Sequence, residues 1–218
     1  MATYYAAVEA FDPAGQDLLP EDADYGGEAR FFVLQAEDLA QTLLVLADTI
    51  AANGLRLDRV LHAADTDRFE EDLLPYDVDL AGMIAAASES GEVCVSEAQI
   101  FEPAEDPRPT GVYACCIDAF DPEWADEDEG NYAGHYQLAV IRAESATDAL
   151  AELVGALEEG EVHLLMLEGL TDAAAFPFDA YDFAFDEEDP VAEVQEAGGI
   201  ILSNAYAYGP EDNPRYDA

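Results

Sequence analysis

The chain predicts an α+β fold built as a tandem duplication of a ββαβαβ-like unit. Each unit is expected to form a roughly four-stranded, mainly antiparallel sheet with two helices on one face. Three observations lead there: an internal repeat, strand-like runs that stop at turn residues, and amphipathic segments with caps at both ends. A shift of 107 residues aligns positions 25–108 with 132–215 without a gap. Gly27 falls on Gly134, Asp65 on Asp172, Phe69 on Phe176, Gly91 on Gly198, and Ser96 on Ser203. Ahead of this block, Ala10-Phe11-Asp12-Pro13 matches Ala119-Phe120-Asp121-Pro122 at a shift of 109, so the first loop is two residues shorter in the second copy. Matched glycines, prolines and aromatics in order across a whole domain mark a repeat rather than chance. The expected units are 1–106 and 107–218, with a Pro-rich joint at Pro103–Gly111; they form separate domains or share one continuous sheet, and the short joint favours two subdomains packed pseudo-symmetrically.

Within each copy the elements follow in order. Tyr4–Phe11 and Tyr113–Phe120 are β-rich runs ending at Asp-Pro, which initiates a turn. Ala29–Gln35 and Tyr136–Arg142 are second strands. Asp38 and Ser145 are helix caps. Beyond them, Leu39, Leu43, Leu46 and Ile50 fall near a helical period, as do Leu150, Leu153, Val154 and Leu157. Asn53-Gly54 and Gly160 stop these helices, since both residue types tolerate positive φ. Leu55–His62 and Val162–Leu167 are third strands. A shorter helix follows, over about 79–88 in the first copy and from Asp189-Pro190 in the second, where Pro suits the first helical position. Gly91 and Gly198 close these helices, and Val93–Phe101 and Ile200–Tyr208 are the last strands.

The charge sets this chain apart. Fifty Asp and Glu face seven Arg and no Lys, a formal net charge of −43. Half the residues are nonetheless hydrophobic, with ten Phe and eleven Tyr, which separates the chain from disordered acidic tails. Such an exterior repels nucleic acids and anionic membranes and attracts basic proteins or cations. No basic n-region precedes an apolar stretch at the N-terminus, and no run approaches the ~20 apolar residues that span a bilayer, so a cytoplasmic location is expected. Three cysteines, Cys115 and Cys116 adjacent, make no disulfide framework. As strand neighbours, this pair would point to opposite faces as small buried hydrophobes.

The acids gather in loops that are also rich in aromatics. The candidate partner-binding residues of the first copy are Asp17, Glu21, Asp22 and Asp24, then Asp65, Asp67, Glu70, Glu71 and Asp72. Those of the second are Trp124, Asp126, Glu127, Asp128 and Glu129, then Asp179, Tyr181, Asp182, Asp186, Glu187, Glu188 and Asp189. Carboxylates beside aromatic rings suit a surface that meets arginine by ion pair and by stacking. Asp65-x-Asp67 and Asp126-x-Asp128 open like calcium loops, but neither continues with glycine at the sixth position and glutamate at the twelfth. No Gly-rich phosphate loop or nucleophilic motif is present, and the histidines are scattered, so no catalytic residues, metal or cofactor are implied.

In composition only, the chain resembles DNA-mimic inhibitors and the immunity proteins of bacterial nucleic-acid-targeting toxins. That resemblance implies a non-enzymatic inhibitor that blocks a basic, nucleic-acid-acting protein. The alternative is halophilic adaptation, with acidity suited to a salt-rich cytoplasm and a function unrelated to charge. Cation buffering is a third reading, resting on the acid clusters alone.

Overall fold

The computed structural model describes residues 1–12, 27–69, 78–101, 110–127 and 131–210. Strand β1 (Ala2–Phe11) lies between β2 (Gly27–Ala36) and β3 (Arg56–Asp65), antiparallel to both. Strand β6 (Val112–Phe120) lies likewise between β7 (Gly134–Arg142) and β8 (His163–Asp172). The two sets join edge to edge, β3 against β8, with Val60 opposite Leu170 and Ala64 opposite Met166. Short strands finish both outer edges: β4 (Cys94–Val95) and β5 (Gln99–Phe101) on β2, β9 (Ile200–Leu202) and β10 (Tyr206–Tyr208) on β7. The described strands form one ten-stranded antiparallel sheet whose order mirrors itself about the β3–β8 pair.

Among the described residues, five α-helices accompany the sheet: α1 (Leu39–Ala52), α2 (Leu80–Ser90), α3 (Pro122–Glu127), α4 (Ala146–Glu159) and α5 (Pro190–Ala197). The expected caps are in place. Asp38 and Ser145 accept hydrogen bonds from Gln41 N and Asp148 N, and Asp189 accepts from Ala192 N. Leu43, Leu46 and Ile50 of α1 share one core with Leu150, Leu153 and Leu157 of α4 and with Ala6, Val8, Ile117 and Leu167 of the sheet.

The expectation of two helices on one face does not hold. Helix α2 packs on Tyr5, Ala7, Phe31 and Val33, and α5 on Val112, Ala114, Cys116 and Leu138. Strand neighbours alternate between faces, so α2 and α5 cover the side opposite α1 and α4. Helix α1 lies in the crossover from β2 to the parallel β3, whereas α2 lies in the return from β3 to β4, which is antiparallel to β2. Both faces being covered also explains why Phe31–Leu34 and Val112–Ala119 are continuously buried.

Other departures are local. The third strands run on to Asp65 and Asp172, past the expected ends at His62 and Leu167. Each last strand is split in two, and the break falls at the matched serines. Ser96 Oγ accepts from Phe31 N at 2.9 Å, and Ser203 Oγ accepts from Leu138 N at the same distance. A side chain thus takes the place of a ladder carbonyl, and the strand turns away. The matched glycines also have a cause. A Cβ at Gly27 would lie 2.7 Å from the Phe101 ring, and one at Gly134 would lie 2.7 Å from Cζ of Tyr208. In both places the ring of the closing strand rests on the glycine backbone. Cys115 and Cys116 enter the cores of opposite faces, as expected. Burial pushes the Cys115 thiol upward, out of the range of a reactive thiolate. Among the described residues, no helix is long and apolar enough to cross a membrane.

Candidate partner-binding surface

Many of the sequence-predicted site residues lie outside the described residues: Asp17, Glu21, Asp22, Asp24, Glu70, Glu71, Asp72, Asp128 and Glu129, as does the side chain of Glu127. The joint at Pro103–Gly111 is described only at 110 and 111. The remaining candidates divide into packed and presented groups.

Asp65 is partly committed to the fold. It ends β3, and its Oδ1 accepts from Asp67 N at 2.9 Å, closing the 3-10 turn Thr66–Arg68. Its aligned counterpart Asp172 accepts from Ala174 N at 2.9 Å in the same way. Tyr181 is half-buried, stacked on Phe176 at 5.3 Å between ring centres. Its hydroxyl is pushed upward, first by burial and then by the nearby Glu168 carboxylate. Trp124 is 39% exposed and lies edge-on to Tyr132 and 4.9 Å from the His135 ring. Asp67, Asp126, Asp179, Asp182, Asp186, Glu188 and Asp189 are exposed, and Glu187 is half-exposed.

Around α5 the acids converge. Glu187, Glu188 and Asp189 line a surface cleft of about 540 Å³ together with Glu193 and Glu196. The last two were not among the sequence candidates. The signal was available, because positions 189, 193 and 196 fall at helical spacing on one face of the segment that Asp189-Pro190 opens.

The described arginines bond within the chain. Arg30 pairs with Glu28, Arg56 with Asp58, Arg59 with Glu9, and Arg68 with Asp118. Arg142 donates to the Gln195 carbonyl at 2.8 Å. All five described arginines are therefore engaged within the molecule, while the acids of the α5 surface have no arginine partner among the described residues.

The Arg68–Asp118 pair belongs to a buried cluster that sequence reasoning missed. Asp118 is 1% exposed and points from β6 toward the α5 side of the sheet. Arg68 Nη1 lies 2.7 Å from Oδ2, and the Tyr208 hydroxyl donates at 2.7 Å to Oδ1. Tyr208 stacks on Tyr136, 5.1 Å between centres. Burial, then the Asp118 charge, pushes the Tyr208 hydroxyl upward, which keeps it a donor. The cluster, buried except for the partly exposed Arg68, ties the two halves of the sheet together.

The buried histidines are held by tyrosines. His62 Nδ1 is 2.6 Å from the Tyr5 hydroxyl, and His135 Nδ1 is 2.6 Å from that of Tyr132. Burial lowers the His135 pKa against the raising influence of Gln137, Asp118 and Asp121. These side chains are integrated into the packing, and no three His, Cys, Asp or Glu among the described residues are grouped to hold a metal ion. Compared with family models, curated proteins and solved structures, the chain finds no match.

Proposed function

We propose that the chain is a tandem duplication whose acidic exterior binds and blocks a basic, nucleic-acid-acting partner, in the manner of a DNA mimic or a toxin-immunity protein. The duplication is supported by side chains that do the same work 107 residues apart: the serines at the split edge strands, the aspartates that end the third strands, and the glycines beneath the closing rings. The blocking role is supported above all by the fate of the arginines. Four of the five described arginines pair with acids elsewhere and Arg142 bonds the Gln195 carbonyl, so the carboxylates around α5 have no arginine ion-pair partner among the described residues. DNA presents a charge every ~1.7 Å of its axis, and proteins that grip it use a basic groove that a rigid polyanion can fill. Charge complementarity would steer encounter, and half-exposed rings such as Trp124 would anchor the complex.

Helix composition favours this reading over salt adaptation. Helix α1 has one acid, Asp48, whereas α4, its counterpart on the same face, has Asp148, Glu152, Glu158 and Glu159. A response to solvent would decorate both helices alike. A binding role rather than catalysis accords with the commitment of His62, His135 and Cys115 to packing.

Capture on the immobilised chain from a lysate of the source organism tests the proposal. A basic nucleic-acid-binding protein should be retained and should lose nucleic-acid binding when the chain is added at equal concentration. Substituting Asp186→Asn, Glu187→Gln, Glu188→Gln and Asp189→Asn together should abolish both effects while keeping the α5 cap. A partner that still binds nucleic acid in the complex would contradict the reading.

A further inference from the structure

The second half of the sheet meets α1 at a cleft of about 440 Å³. Its floor is apolar, formed by Val162 and Leu164 with Ala40 and Pro122, and its rim holds Asp38, Glu123, Glu158 and Glu161. His163 forms one wall, its ring stacked on Phe120 with 6.4 Å between centres.

The aligned positions of the other copy separate what the fold needs here from what it does not. Val162 and Leu164 align with Leu55 and Leu57, so the floor is kept. The rim is not: Asp38 aligns with Ser145, Glu158 with Ala51, Glu161 with Gly54, and His163 with Arg56. Ser145 caps its helix as Asp38 does. Gly54 adopts a φ of 73° at no steric cost, while Glu161 holds a φ of 55°, a conformation unfavourable for a residue with a Cβ. Folding therefore does not call for acids at this rim.

The same comparison indicates the occupant. At the first-copy position an arginine of the chain itself, Arg56, lies with its guanidinium 5.0 Å from the centre of the Phe11 ring, paired with Asp58 at 3.1 Å. In the second copy the aromatic Phe120 is kept, the arginine is replaced by His163, and the acids have multiplied. An arginine side chain fits what is left: methylenes along the apolar floor, the planar guanidinium against the His163 ring, and its donors toward the rim carboxylates.

We propose that this cleft receives an arginine side chain of the basic partner; the inference rests on the blocking function proposed above and assigns it a specific pocket. The probe is Nα-acetyl-arginine amide, with the citrulline analogue as its neutral isostere, followed by amide chemical shifts of the intact chain. The arginine probe should give saturable shifts confined to residues 38–40, 121–123 and 158–164, and citrulline should give none. The triple variant Asp38→Ser, Glu158→Ala, Glu161→Gly installs residues already tolerated at the aligned positions. It should melt like wild type and weaken probe binding about tenfold or more. Equal response to citrulline, equal shifts around α5, or unchanged affinity in a folded triple variant would overturn the pocket. If the pocket fails while the α5 charge variant still releases the partner, the blocking function survives without it. If the α5 variant also has no effect, both fall.

Discussion

Arg68 and Asp118, 50 residues apart in sequence, meet at 2.7 Å where the two halves of the sheet join. Arg68 follows β3 in the first half, and Asp118 is buried on β6 in the second. The Asp118 side chain is 1% exposed and that of Arg68 is 30% exposed, so the two substitutions should be unequal. Arg68→Ala strands a buried carboxylate and should lower stability by about 3 kcal/mol. Asp118→Asn leaves an arginine that can turn to water and should cost about 1.5 kcal/mol. Urea denaturation of both variants measures the difference. An Arg68→Ala protein as stable as wild type would remove the pair from the account.

The edge serines provide a graded test. Ser203 is 3% exposed, and its hydroxyl serves the buried Leu138 N–H, whereas Ser96 is only half-buried. Losing a partner in a dry site costs ~1–3 kcal/mol, and water can replace it at a wetter one. Ser203→Ala should therefore destabilise more than Ser96→Ala. The double variant should show the sum, because the residues lie at opposite edges of the sheet.

Gly134→Ala should act through Tyr208. The new methyl would displace a ring whose hydroxyl donates to Asp118, so packing and a charged hydrogen bond are lost together. A loss of about 2–4 kcal/mol is expected, and Tyr208→Phe should account for about half of it. If Gly134→Ala were fully additive with Tyr208→Phe, the proposed route would be wrong.

His135 gives a pH dependence with a definite sign. Its folded-state pKa lies below the ordinary 6.5, chiefly because burial disfavours the charged ring. The unfolded chain therefore binds the proton more readily. The contribution to stability is present above 6.5 and is lost as pH falls through the folded value. The melting difference between wild type and His135→Gln should move against wild type between about pH 7.5 and about pH 5. Comparison with the variant cancels the relief of carboxylate repulsion shared by both proteins. A difference that stays flat or moves the other way would refute the assignment.

Local signals in the sequence were reliable where one residue does one local job. Asp38, Ser145 and Asp189 read as caps and are caps, and Gly91 and Gly198 end helices with positive φ. Helix α3 escaped notice because Asp121-Pro122 reads equally well as a turn and as a cap followed by proline at the first helical position. The faces of α2 and α5 were also missed, although doubly apolar runs such as Phe31–Leu34 already implied a sheet covered on both sides. Arg68–Asp118 was beyond reach: its partners are set by the β3–β8 junction, and no local pattern encodes which edge meets which. In the candidate site, Asp189 and its neighbours were legible as an acidic run. That Glu193 and Glu196 complete their cleft follows only from the helix they share.

The central claim is that the acidity serves a partner, and that the fold tolerates its own repulsion without salt. Thermal unfolding followed by circular dichroism, from low-salt buffer to molar KCl, tests it most directly. At ~1 M salt the screening length falls to ~3 Å, and repulsion between surface carboxylates is largely removed. The account predicts a cooperative transition already present at low salt, rising modestly as salt is added. A chain that stays unfolded until KCl becomes molar would contradict it and make the acidity an adaptation to solvent.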